Sequence, residues 1–141
     1  MIEGHCLCGA VTISVAEHDG TTAACHCRMC QRWSGSLYLS FVAPADAVTV
    51  SGNVTSYQST RFSQRAFCPV CGSHLWLRQT DEPDPAYELM PGLFDAARQM
   101  PLKSEIYTDR ALPGLALAGD HRRKTRAEYE ATHPHLEGDM E

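Results

Sequence analysis

The stretch Phe67-Cys68-Pro69-Val70-Cys71-Gly72-Ser73 decides how the rest of the chain is read. Two thiols spaced C-x-x-C on a tight turn can point at one ion. The glycine after the second accepts the left-handed backbone that turns nearby amides towards the sulfurs. Such a knuckle supplies half of a tetrahedral zinc site and needs a second pair. Cys6 and Cys8, in Gly4-His5-Cys6-Leu7-Cys8-Gly9, supply it, because positions i and i+2 of an extended strand project from one face. A thioredoxin-like redox pair would want a βαβ context, which the surrounding sequence lacks. The expectation is one structural Zn2+ held by Cys6, Cys8, Cys68 and Cys71.

Three thiols remain, in Cys25-His26-Cys27-Arg28-Met29-Cys30. Three protein ligands with an open fourth position is the usual layout of a catalytic zinc. The spacing is short enough for a loop entering a short helix to form the site alone. His26 is expected to project away from the metal, as alternate residues do in extended chain. Two other readings stay open: His26 as a fourth ligand, and all seven cysteines serving one structural cluster. Seven is odd, so intramolecular disulfides alone cannot absorb the thiols. No Lys or Arg precedes Arg28, which argues against the basic front end of a signal or transit peptide. Clustered thiols without an export signal suggest a reducing compartment, so a cytoplasmic metalloprotein is expected.

Outward from these clusters, the first two thirds of the 141 residues read as strands. Val11, Ile13 and Val15 alternate with Thr12 and Ser14, the period of a half-buried strand. Residues 37–43, 47–50, 54–58, 61–67 and 74–79 follow, rich in aromatic and β-branched side chains and separated by Gly, Pro, Asp and Asn. Residues 87–90 and 104–108 offer two more, and the class expected is mainly β and antiparallel, with short helical turns. Residues 1–118 are expected to form one zinc-binding domain. Residues 119–141 read as a charged, peripheral tail with a short helix near Thr125–Thr132. The net charge of -5 supplies no basic field for nucleic acid or anionic membrane. The longest apolar stretch, Leu112–Ala118, is broken by Pro113 and Gly114 and is too short to span a bilayer.

Three blocks together resemble the glutathione-dependent formaldehyde-activating enzyme family, also called the centromere protein V-like family. They are Gly4-His5-Cys6-Leu7-Cys8-Gly9-Ala10-Val11, Cys25-His26-Cys27-Arg28-Met29-Cys30-Gln31-Arg32, and the knuckle quoted above. Gly92-Leu93-Phe94-Asp95 and Ser104-Glu105-Ile106-Tyr107 resemble weaker later blocks. The resemblance implies the zinc-bound, mainly-β fold of the Mss4-like superfamily. It also implies a structural zinc on Cys6, Cys8, Cys68 and Cys71 and a catalytic zinc on Cys25, Cys27 and Cys30. The reaction implied is addition of glutathione's sulfur to formaldehyde, giving S-hydroxymethylglutathione, which run backwards is a carbon–sulfur lyase reaction. Where many members carry a Trp after the last strand, this chain runs Arg110-Ala111-Leu112-Pro113-Gly114, and its tail has no counterpart in the pattern.

Three thiolates on Zn2+ leave a net charge of about -1, a soft and weak Lewis acid better suited to a thiol than to water. A thiol with pKa near about 8.5 is only a few per cent thiolate at pH 7, so coordination gains at most roughly thirtyfold. Positioning of the second reactant must therefore contribute more. An anionic thiol such as glutathione calls for cations and amides, for which Arg28, Gln31 and Arg32 are the nearest candidates. Arg61 and Arg65, before the knuckle, read more readily as solvated surface. His74 is the general-base candidate by proximity, although a core or surface role fits it better. The partner expected is a small thiol, with a homodimer left open. The competing reading is a non-catalytic zinc scaffold for a protein partner.

Overall fold

The computed structural model describes residues 1–136, which carry eleven strands and two α-helices. In chain order they begin β1 (Ile2–His5), β2 (Thr12–Val15), β3 (Thr22–Cys25), α1 (Arg28–Ser34), β4 (Tyr38–Ala43) and β5 (Val48–Ser51). There follow β6 (Thr55–Gln58), β7 (Ser63–Phe67), β8 (His74–Gln79), β9 (Tyr87–Leu89), β10 (Leu102–Ile106), β11 (Arg122–Lys124) and α2 (Arg126–Ala131). No helix among the described residues is long and apolar enough to cross a membrane. The chain divides into two compact units, one of residues 1–21 and 40–100, the other of residues 22–39 and 101 onward.

In the first unit every pairing is antiparallel, as the strand pattern predicts. β2 lies between β1 and β5, with Ile13 opposite Gly4 on one side and Val50 on the other. β4 pairs with β9, β9 with β8, β8 with β7 and β7 with β6. The apolar positions of these strands make the core: Val11, Ile13, Val15, Phe41, Leu75 and Leu89 are all buried. Each such side chain contributes roughly 1.5–3 kcal/mol by leaving water. Phe94 closes the core against Phe41 edge-to-face, ring centres 5.2 Å apart. That approach requires a glycine at position 4, since a Cβ there would lie 2.6 Å from both Leu93 O and the Phe94 ring.

The second unit departs from the antiparallel expectation. β10 lies between β3 and β11, and all three run parallel. Cys25 is opposite Ile106 and Ile106 opposite Lys124, while Ala24, Glu105 and Arg123 form the adjacent row. Because side chains alternate across a strand, these rows face opposite sides of the sheet. α2 starts where the sequence places a helix. Thr125 caps it by accepting the Glu128 amide at 3.3 Å, the Ser/Thr-x-x-Glu arrangement of a capping box. Within the described residues 119–136, the tail expected over 119–141 supplies an edge strand and a capped helix, and its residues 137–141 lie outside the described residues.

Candidate metal centres

The four-cysteine cluster lies in the first unit. The knuckle turns as its sequence requires: Gly72 has φ 77° and its amide bonds Cys68 O at 2.9 Å. Cys6 and Cys8 reach the same point differently from the extended strand expected. β1 ends at His5, and residues 6–9 form a turn closed by the Gly9 amide on Cys6 O at 3.0 Å. Gly9, with φ 78°, allows it. The Sγ atoms of Cys6 and Cys8 are 3.6 Å apart and those of Cys8 and Cys68 3.8 Å, with all four ligand atoms within 4.8 Å. A tetrahedron with Zn–S of about 2.3 Å has edges of about 3.8 Å, so the donor set fits zinc.

The surroundings favour anionic sulfur. The Val11 amide donates to Cys6 Sγ at 3.3 Å, and Ser73 Oγ lies 3.2 Å from Cys71 Sγ while accepting the Leu7 amide at 3.0 Å. Hydrogen bonds from the Ser73 hydroxyl and amide hold the Cys71 thiol down at about 5. Cys8 receives help from the Ala10 amide, yet burial and the neighbouring thiols push it up to about 11. Four thiolates this close repel one another, and a bound cation removes that conflict.

In the second unit, Cys25 ends β3, Cys27 is the N-cap of α1 and Cys30 lies in its first turn. The Cys30 amide donates to Cys27 Sγ at 3.3 Å, so the cap that starts the helix also orients a ligand. The three Sγ atoms lie within 4.8 Å of one another, and among the described residues the group has no fourth His, Cys, Asp or Glu ligand. Hydrogen bonding and repulsion from Cys27 and Cys30, with burial, push the Cys25 thiol well above its ordinary value. Three soft donors with one position open suit zinc here as well.

His26 turns away, as expected of the alternate residue. Its Nε2 donates to Glu105 Oε1 at 2.7 Å, and its side chain is 1% exposed. Gln31, a candidate for substrate or sulfur contact, uses its amide nitrogen on two carbonyls, His26 O and Arg110 O, both at 2.7 Å. Arg28 and Arg32 are exposed and line a cavity of about 370 Å³ with Gln31, Gly35 and Leu112. Arg28, Gln31 and Arg32 thus share one surface of α1.

Elsewhere the outcome differs. Arg65, read as solvated, is buried at 2% exposure, with Nε 3.3 Å from Ser59 Oγ. His74 stands half-buried on β8 opposite Phe67, where burial and Arg65 lower its pKa. Glu105, absent from the sequence candidates, accepts from His26 and from His121 Nε2, and lies 3.2 Å from Arg123 Nε. Burial pushes this carboxyl up, but the hydrogen bonds from His121 and His26 outweigh it and hold the pKa below the ordinary value.

A protein of Rhodobacter sphaeroides, known from its crystal structure, shares the fold at TM-score 0.55 and 22% identity, over 86% of this chain and 99% of that one. An uncharacterized lyase of Schizosaccharomyces pombe is 29% identical over 108 residues, 76% of this chain and 78% of its own. A Halomonas elongata protein, provisionally named a glutathione-dependent formaldehyde-activating enzyme, is 31% identical over 87 residues, 55% of each chain. The family pattern described as glutathione-dependent formaldehyde-activating enzyme matches residues 1–110, a span that contains all seven cysteines. With both cysteine groups assembled inside that span, the chain belongs to the glutathione-dependent formaldehyde-activating enzyme family.

Proposed function

We propose that the protein is a zinc-dependent carbon–sulfur lyase that adds a small thiol, glutathione or a close analogue, to formaldehyde or another small carbonyl. The observation that carries this is the three-thiol group of Cys25, Cys27 and Cys30, whose ligand atoms converge without a fourth among the described residues. A zinc ion held there would supply deprotonation of a substrate thiol at neutral pH. The chain's own residues do the rest. Cys27 orients itself through the Cys30 amide, and Gln31 fixes the Cys25–Cys27 loop through His26 O. Arg28 and Arg32 present positive charge beside that loop for an anionic substrate. Cys6, Cys8, Cys68 and Cys71 hold a second, structural zinc, residues 1–118 carry the zinc-binding domain, and the compartment is a reducing one such as the cytoplasm.

The test is formaldehyde consumption with glutathione, measured above the spontaneous rate. Cys27→Ser, if still folded, should abolish the excess. An unchanged rate in that variant overturns the reading. One observation favours the scaffold alternative: Leu7 and Val70, at the tips of the two turns of the four-cysteine cluster, are 86% and 74% exposed. Metal stoichiometry separates the two. Two zincs per chain, one with an exchangeable ligand, support the enzyme, whereas a single inert zinc supports the scaffold.

A further inference from the structure

The parallel sheet of the second unit has two faces with different tasks. On one, Glu105 is satisfied by His26, His121 and Arg123. The other carries the rows Cys25–Ile106–Lys124 and Ala23–Ser104–Arg122. A cavity of about 210 Å³ lies against β10, β11 and α2, lined by Ser104, Ile106, Arg122, Lys124, Tyr129 and His133, with Glu105 also at its wall. Its charge is positive in balance, because Glu105 is the single acid in the lining and is already countered by its own partners. Arg122 and Lys124 have no ion-pair partner among the described residues. His133 Nδ1 donates to Tyr129 O at 3.0 Å, and its ring stacks on Tyr129 at 4.1 Å, which fixes the imidazole at the cavity.

We infer that this cavity is a carboxylate subsite of the proposed reaction, taking a terminal carboxylate of the thiol substrate on Arg122 and Lys124, with the His133 ring as its wall. The inference rests on the proposed function for the source of that carboxylate. Size supports it: whole small-molecule sites run to about 300–1,000 Å³. This one is too small for a tripeptide and ample for one charged end. Spacing supports it too. Neighbouring strands are about 4.8 Å apart, so the Cα atoms of Cys25 and Lys124, two strands apart in one row, are separated by about 10 Å. At roughly 3.5 Å per residue, a terminal carboxylate one or two residues from a cysteine sulfur spans about 3.5–7 Å of this, and the long Lys124 side chain, which lines the cavity, covers the rest. The subsite falls outside the residues 1–110 that the family pattern matches, apart from its β10 wall. Arg122 and Lys124 would thus contribute to thiol choice from outside the matched span.

The test is calorimetric binding of S-methylglutathione, which has both carboxylates and no free thiol, to the metal-loaded protein. Lys124→Gln and Arg122→Gln should each weaken binding about tenfold, as loss of a partly exposed charge-assisted hydrogen bond does. Lys103→Gln, the same charge change at an exposed position of β10 outside the cavity lining, should leave it unchanged. The Ser104 and Ile106 amides should shift in NMR spectra on titration. Equal binding by wild type and both cavity variants overturns the subsite. Binding of acetate or inorganic phosphate as tight as that of the peptide overturns its assignment to the substrate. Loss of thiol-dependent turnover alone does not touch it: peptide binding that still depends on Lys124 would refute the reaction and keep the subsite.

Discussion

Replacing Glu105 by alanine tests the most heavily loaded polar contact of the second unit. The carboxylate is 6% exposed and faces two imidazoles, His26 at 1% and His121 at 2%. Removing it leaves two buried N–H groups without their acceptor and Arg123 without its counter-ion. Hydrogen bonds to a charged group contribute about 1.5–3 kcal/mol each. Breaking one member of a buried ion pair costs about 3–5 kcal/mol. The loss expected for Glu105→Ala is therefore about 3–5 kcal/mol, a large share of the roughly 5–15 kcal/mol that holds a domain together. At about 2–4 °C per kcal/mol for a chain near this size, the melting point should fall by roughly 10 °C. Glu105→Gln keeps one acceptor but turns an NH2 group towards an imidazole N–H, so it should recover only part of the loss. The pH dependence gives an independent sign. The folded carboxyl titrates below its ordinary value of 4.5, so the folded state binds fewer protons than the unfolded chain. Its stabilisation is fully present above that unfolded value and is lost as pH falls through the folded one. Urea unfolding of wild type and Glu105→Gln across pH 3 to 7 should show a constant gap above about pH 4.5 that closes below it. A gap under about 1 kcal/mol for Glu105→Ala, or one that stays constant down to pH 3, would refute the argument.

Three further outcomes follow from other parts of the fold. Cys68→Ser should abolish the cooperative melt or shift it far down, since structural zinc contributes about 10–16 kcal/mol in small domains. Cys27→Ser, in a group that closes within six residues, should melt near wild type, and equal destabilisation would mean the seven thiols are wrongly divided. Gly52→Ala should be costlier than Gly114→Ala. Both glycines have positive φ, costing about 1–2 kcal/mol in strain, but only at position 52 would the new Cβ meet backbone, 2.0 Å from Ala10 O. Matching unfolding midpoints for the two variants would contradict this. Tyr107→Phe removes the hydroxyl that donates to Glu130 at 3.0 Å and should lose about 1.5–3 kcal/mol. Hydrogen exchange in α2 should rise with it, and unchanged protection at residues 126–131 would show that the contact does not hold the helix.

The parts legible in the sequence were those with local signals. Alternation at Val11, Ile13 and Val15 and the runs at 74–79 and 87–90 mark β2, β8 and β9 because burial on one face imposes a period of two. The C-x-x-C-Gly knuckle and the Thr125-x-x-Glu128 box are likewise chemistry within a few residues. β3 was invisible because Thr22-Ala23-Ala24-Cys25 offers one β-branched residue, no aromatic one and two alanines, which are depleted in strands. β11, Arg122-Arg123-Lys124, has no apolar residue to mark it as a strand, and joins β10 through its backbone and the Arg123–Glu105 ion pair. Cys6 and Cys8 stand in one group with Cys68 and Cys71 but on a turn, not the expected strand, since a tight turn and an extended segment can deliver the same two sulfurs to one point. Glu105 and His26 stand 79 positions apart, and no local pattern predicts a contact between them.

The discontinuity of the second unit has a consequence during synthesis. Its first piece, residues 22–39, leaves the ribosome with three thiols, but β10, which pairs with β3, ends only at residue 106. At about 5–20 residues per second, the 76 positions from Cys30 to Ile106 (106 minus 30) take roughly 4–15 seconds. Through that interval the first unit can complete itself, its last residue being 100, while Cys25, Cys27 and Cys30 wait without their neighbouring strand. The nascent three-thiol segment is therefore open to oxidants and to thiol-seeking metals such as copper before its pocket exists. Chains stalled at residue 100 should label readily at those three thiols, and released full-length chains should not. The order in which this fold is made, and not only its final form, then governs which metal the second site receives.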